Sequence, residues 1–351
     1  MTAPILKGPF LQVPSGINLR HMANHDAFDS GVLERLGLLR DKYAAMGQDL
    51  VSYLDGLLYA DFPTYWDYVN LDTLLSLQHP VTPFPDEEIF ITYHQITELY
   101  FKLSLHELRQ IHEAVDMDAS SMLTKVTRVN RYFENLVSSF DIMVDGLDRG
   151  QFLKFRMSLL PSSGFQSVQY RLVEIACTSM DRLVHQELRD NHAEHGLDDI
   201  EEMFDALYWR RGATELATGE PTLTLKQFEA KYRGKIVDFA ENRFYTNLRK
   251  KWLGLPEDEQ TDALQEALRN LDELVNVHWP LSHYRSAVRH LQSNPVDIAA
   301  TGGTNWQQYL PPRFQSMIFF PELWTDQEKA DWGKKWVLTH VTHHSSPTSK
   351  S

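Results

Sequence analysis

Ahead of Asp86 the chain is punctuated by Pro80, Pro83 and Pro85, and from Glu88 it runs on as EIFITYHQITELYFKLSLHELRQIHEAV. Prolines fix φ and withhold a donor, so they end the preceding element in a stiff loop. Asp86, Glu87 and Glu88 then place negative charge in a first helical turn, where it complements the dipole. One long helix is therefore predicted here. No stretch shows the period-two alternation of a half-buried sheet, and no internal repeat is present. The fold class expected is all-α.

Other helical segments are predicted around this one. Residues from Gly31 to Leu58 carry apolar residues at helical spacing, and YWDYVNLDTLLSLQ from Tyr65 to Gln78 is read as a further helix. Helices are also expected over Met122 to Leu147 and Gln151 to Leu160, where Pro161 stops the chain. Ser162 and Ser163 are natural caps for a helix starting near Phe165. The stretch from Arg189 to Asp262 is more charged and broken by glycine and proline, which suggests a helical insertion. Helix returns from Ala263 to about Gln292 and is interrupted or restarted at Pro280. The last residues, HVTHHSSPTSKS, form a polar tail expected to fray.

Composition narrows the function classes. With 42% hydrophobic and 23% charged residues the chain is an ordinary globular one, and no run approaches the roughly 18 apolar residues of a spanning helix. The N-terminus lacks a secretory pattern, so a cytoplasmic protein is expected, with no membrane partner. A net charge of −14 repels nucleic acid. Cys177 is the single cysteine, which excludes an internal disulfide, a CxxC site and the CxxCH signature of covalent haem.

Three constellations carry chemistry. Phe90 and His94 stand four apart on one helical face, an imidazole beside an aromatic ring that suits a flat heteroaromatic ligand. Taken alone, the pair more often marks a half-buried histidine satisfied by a neighbour. In FLKFRMSLLPSSGFQS, Phe152 and Arg156 share a face, and a guanidinium among apolar residues calls for an anion, either a substrate carboxylate or a structural ion-pair partner. The helix start at Ser162 and Ser163 suits an anionic group such as a haem propionate. HWPLSHYRSAVRHLQ holds His278, His283 and His290, any of which is a candidate iron ligand or a structural histidine. The loop from Ala300 to Thr304 adds close backbone approach and two hydroxyls. HAEH at 192–195 and the terminal His340, His343 and His344 lack metal-site spacing or order.

Together these segments resemble the tryptophan 2,3-dioxygenase family. TYWDYVNLDTLLSLQ, DEEIFITYHQITELYFKLSLHEL, FLKFRMSLLPSSGFQSVQYRLVE, WPLSHYRSAVR and ATGG occur in the family's order, from about Tyr65 to Tyr309. The resemblance implies an all-helical homotetramer with non-covalent haem b, dioxygen as co-substrate, and L-tryptophan or a close aromatic amino acid as substrate. It assigns His94 as the distal histidine, with Phe90 stacking beside it. Arg156 falls on the carboxylate clamp, Phe152 on the pocket wall, and Ser163 near haem and substrate. His283 falls on the proximal iron ligand, where Trp279 and Arg289 also match. Thr301 matches the residue that holds the amino-acid end, and Tyr65, Tyr68 and Val69 match a segment lent to a neighbouring subunit's pocket. The implied division is an arm and helix at 1–64, a haem-binding dioxygenase domain at 65–310 with the insertion at about 189–262, and a C-terminal segment and tail at 311–351.

The chain departs from the family in its loop, ATGGTNW where GTGGSSG is usual, with a bulky Trp306, a longer His283 to Thr301 stretch and a longer N-terminal region. The expected reaction opens the indole C2–C3 bond to give N-formyl-L-kynurenine, the first step of tryptophan catabolism by the kynurenine pathway. The other readings are a haem-dependent monooxygenase of tyrosine or a substituted tryptophan, and a haem sensor. Arg156 beside His94 disfavours the sensor, which has no need of a carboxylate clamp.

Overall fold

In the computed structural model the described residues are 29–58, 60, 63–159, 166–189, 196–214, 220–292 and 312–334. Among them the regular structure is helical, with only two isolated bridges, Val184 to Leu207 and Thr214 to Pro221. The all-α expectation holds. The chain divides into two compact units, Met1–Leu75 and Ser76–Ser351.

The first unit contains α1 (Ser30–Ala45), α2 (Leu50–Leu58), α3 (Tyr65–Tyr68) and α4 (Leu71–Leu74). Asp29 caps α1 by accepting from the Gly31 N–H. Two expectations need correction here. The run from Gly31 to Leu58 is two helices, because Gly47 takes φ +68°, a conformation that ends α-helical continuation. Tyr65 to Gln78 is likewise two single turns, separated by Asn70 at φ 52°, a left-handed position that asparagine tolerates better than most residues.

The second unit is built on α5 (Asp86–Glu113), which packs against α6 (Ala119–Ser139) and α9 (Val168–Cys177). In the first turn of α5, Glu87 is fully buried and accepts from the Val81 and Thr82 N–H groups at 2.8 Å each, which fixes the proline loop. On α5, Tyr93, Thr97, Phe101, Ser104 and Leu108 form the core-facing stripe, while Ile89, Ile96, Leu99 and Leu103 form an exposed apolar one. On α6, Met122, Val126, Val129, Phe133 and Leu136 recur at helical spacing and are completely buried. Phe140 separates α6 from the single turn α7 (Asp141–Val144), so the helix expected from Met122 to Leu147 is broken at that point.

Asp148 caps α8 (Arg149–Phe155), which tightens into a 3₁₀ turn over Arg156–Leu159 instead of continuing as α-helix. The expected caps at Ser162 and Ser163 lie outside the described residues, and the cap seen is Ser167, accepting from the Tyr170 N–H. α9 stops at Cys177 and short 3₁₀ turns follow, so it is shorter than expected.

The charged stretch carries α10 (Ile200–Asp205), α11 (Tyr208–Gly212), α12 (Leu223–Arg243) and α13 (Leu248–Leu253). Its Met203, Phe204, Trp209, Phe228 and Ile236 belong to the main core cluster, so it contributes to the core. Thr261 caps α14 (Asp262–Glu273), a π turn covers Leu274–His278, and α15 (Trp279–Leu291) follows without a break. The interruption expected at Pro280 is thus a change of helical pitch.

Asp272, at the end of α14, is fully buried and collects the C-terminal segment. It accepts from the backbone N–H of Phe319 at 2.8 Å and Phe320 at 3.1 Å, the Trp324 indole N–H at 3.0 Å, and the Asn276 amide at 2.7 Å. Two oxygens each accept twice, which satisfies the carboxylate fully.

Candidate active site

α5 brings Phe90 and His94 together, as their spacing of four predicts: the ring centroids are 4.1 Å apart. His94 Nδ1 lies 2.7 Å from the Phe90 carbonyl oxygen. A carbonyl only accepts, so Nδ1 carries the proton and Nε2 is left as an acceptor. Desolvation lowers the pKa of His94 although part of its surface is accessible, which keeps the ring neutral.

α8 supplies a second wall. Phe152 and Phe155 lie 6.4 and 5.8 Å from the Phe90 ring. Arg156 follows directly on Phe155 and is only 4% exposed, with its pKa pulled down by burial. Phe152 and Arg156 remain one turn apart, since the Arg156 N–H bonds the Phe152 carbonyl. Arg156 therefore sits at the end of the helix whose Phe152 and Phe155 rings lie beside Phe90.

α15 supplies a third wall. His283 Nδ1 is 3.0 Å from the Trp279 carbonyl, the same tie to the residue four before that His94 makes. Phe140 and Trp279 flank the His283 ring, with centroids at 4.5 and 4.4 Å. Desolvation, with a smaller contribution from nearby His94, pushes the His283 pKa down to about 4 despite the opposing bond to the Trp279 carbonyl. Two neutral imidazoles from separate helices thus lie within electrostatic reach of each other. Each keeps its Nε2 clear of the backbone tie.

The other candidate histidines behave differently. His290 is buried, its Nε2 donates to the Met143 carbonyl at 2.8 Å, and its ring packs 4.8 Å from Phe152, which is a structural arrangement. His278 lies in the π turn. Tyr65 and Tyr68 are 70% and 76% exposed in the first unit, and Val69 is exposed beside them. Ser163, Thr301, Trp306, the HAEH segment and the terminal histidines lie outside the described residues. Among the described residues no group of three or more His, Cys, Asp or Glu is placed to hold a bare metal ion, and no helix is long and apolar enough to cross a membrane.

Phe140 was not legible as a site residue. It stands alone between two helices, and only packing carries it to His283. Phe155 had a clearer signal, lying three residues beyond Phe152 on the same helix.

The tryptophan 2,3-dioxygenase family model matches residues 59–203. A tryptophan 2,3-dioxygenase of Ruegeria sp. (strain TM1040) is 32% identical over 275 residues, covering 76% of this chain and 92% of the relative. One from Polaromonas sp. (strain JS666) is 30% identical over 74% of this chain and 86% of its own length. One from Pseudomonas fluorescens is 29% identical over 76% of this chain and 92% of its own.

Proposed function

The chain belongs to the tryptophan 2,3-dioxygenase family, and from that premise we propose that it adds both atoms of dioxygen across the indole C2–C3 bond of L-tryptophan, giving N-formyl-L-kynurenine. The observation that supports the reading is that two neutral imidazoles, His94 and His283, lie within electrostatic reach of each other, with Phe90 packed against the first and Phe140 against the second.

Non-covalent haem b fits the donor set. His283 is neutral, with Nδ1 committed to the Trp279 carbonyl, so its Nε2 lone pair is available for iron, the tautomer a histidine ligand needs. Cys177 does not compete: it is completely buried, and burial raises its thiol pKa well above the ordinary value. Haem b, when bound, supplies a redox-active iron that activates dioxygen.

The chain's own residues bind and orient the substrate. Arg156 offers a planar fork that matches the substrate carboxylate bidentately, in surroundings dry enough to strengthen that pair. Phe90 and Phe152 wall the indole. His94 Nε2 accepts from the indole N–H, which turns the ring so that C2 and C3 face the reacting oxygen. Such a bond to a neutral donor contributes about 0.5–1.5 kcal/mol, enough to orient the ring. Thr301 is proposed to hold the amino-acid end and Ser163 to lie near haem and substrate. Tyr65 and Tyr68 would be lent to a neighbouring copy within a homotetramer in the cytoplasm.

The test is aerobic turnover with tryptophan and with tyrosine, followed by the absorbance of N-formylkynurenine and by oxygen uptake. One oxygen consumed per tryptophan with stoichiometric N-formylkynurenine supports the reading. A hydroxylated product, or preference for tyrosine, points to a monooxygenase instead.

A further inference from the structure

The π turn ahead of the His283 helix leaves one of its own carbonyls without a backbone donor. The Trp279 N–H bonds the Leu274 carbonyl, five residues back. At the same spacing the Val275 carbonyl would be met by residue 280, but that residue is proline and has no N–H. The N–H four residues on, that of Trp279, is already committed to Leu274. A buried carbonyl left this way is costly. The Tyr170 hydroxyl, from α9, fills the gap: it donates to the Val275 carbonyl at 3.2 Å. Its ring is held 5.5 Å from Phe101, which in turn lies 5.8 Å from Trp279.

Single π turns inside α-helices recur at functional sites because they rotate everything that follows. The residues that follow here are Trp279, whose carbonyl ties His283 Nδ1, and His283 itself. We propose that Tyr170 is a positioning residue for His283: its hydroxyl stands in for the N–H that Pro280 lacks, holds the π turn open, and so sets the direction of the His283 imidazole. The inference rests on the reading of His283 as the iron ligand.

The test compares Tyr170→Phe with Tyr208→Phe and with the double variant Tyr170→Phe/Pro280→Ala. Tyr208→Phe removes a different buried hydroxyl, one that donates to Glu174, and leaves the π turn untouched. The double variant returns an N–H to residue 280. Two readouts are taken: amide hydrogen exchange at Trp279, and the iron–imidazole stretching band of the ferrous haem protein. Tyr170→Phe should speed exchange at Trp279 by about tenfold, shift or broaden the band, and release haem about tenfold faster. Tyr208→Phe should leave the band unchanged, and the double variant should bring exchange and band back toward wild type. An unchanged band in Tyr170→Phe, an equal shift in Tyr208→Phe, or no recovery in the double variant overturns the proposal. His283→Ala serves as the separate check on the parent reading: if it retains the wild-type band, the iron-ligand assignment fails on its own, whatever Trp279 exchange reports about the π turn.

Discussion

Phe140 packs its ring 4.5 Å from the imidazole of His283, tilted by 49°, and the same ring meets Trp279 edge-on at 5.2 Å. The imidazole is therefore held between two aromatic side chains as well as by its Nδ1 tie. Phe140→Leu keeps an apolar filler but removes the flat face. It should cost about 1–2 kcal/mol of stability and weaken haem retention while leaving the tryptophan KM of loaded protein close to wild type. Haem titration of the purified variant checks this, and unaltered retention would show that Phe140 is only core.

His283 should be the sole protein ligand to iron. His283→Ala should abolish the ferrous histidine spectrum, whereas His290→Ala, which removes a bond to the Met143 carbonyl, should lower stability and keep that spectrum. A spectrum lost with His290 and kept without His283 would reverse the assignment.

Arg156→Ala should lower kcat/KM for tryptophan by roughly thirtyfold or more, since truncating one partner of a buried charge pair costs about 2–5 kcal/mol. Tryptamine, which lacks the carboxylate, is the control. Equal impairment with tryptamine would make the arginine structural. His94→Ala should be milder with both substrates, within the range of one neutral hydrogen bond.

Asp272 gives a pH dependence whose sign is fixed. Burial raises its carboxyl pKa to about 6, against about 3.9 in an unfolded chain. Between those values the folded state binds the proton more readily, so this group's stabilising contribution is full below about pH 4 and is lost as pH rises to about 6. The loss is on the order of 3 kcal/mol. Asp272→Asn removes that slope and also sets an amide N–H₂ against groups that all donate, which should cost about 3 kcal/mol. Urea midpoints from pH 4 to 6.5 for both proteins test this, and parallel curves would contradict it.

Spacing alone located much of this arrangement. Phe90 with His94, and Phe152 with Arg156, were readable because residues four apart on a helix share a face, and the long helix was readable from its prolines and acidic first turn. The family resemblance assigned the roles, which spacing could not. What stayed hidden depends on backbone geometry or on distant packing. Asn70 looks like any polar residue until it takes a left-handed φ, and Pro280 suggests a break where the chain instead changes pitch. Phe140 and Tyr170 reach the His283 helix from other elements, so no local pattern announces either.

The two apolar stripes of α5 bear on how the protein behaves on dilution. The helix that carries His94 buries one stripe in its own core and turns Ile89, Ile96, Leu99 and Leu103 outward, so both of its flanks are apolar. A single copy must keep that outer flank wet, at roughly 25 cal/mol for each Å² left uncovered. On the proposed reading, this uncovered flank lies on the same helix as the residue that would orient the substrate, so specific activity is expected to fall on dilution, which assays across a range of protein concentrations check.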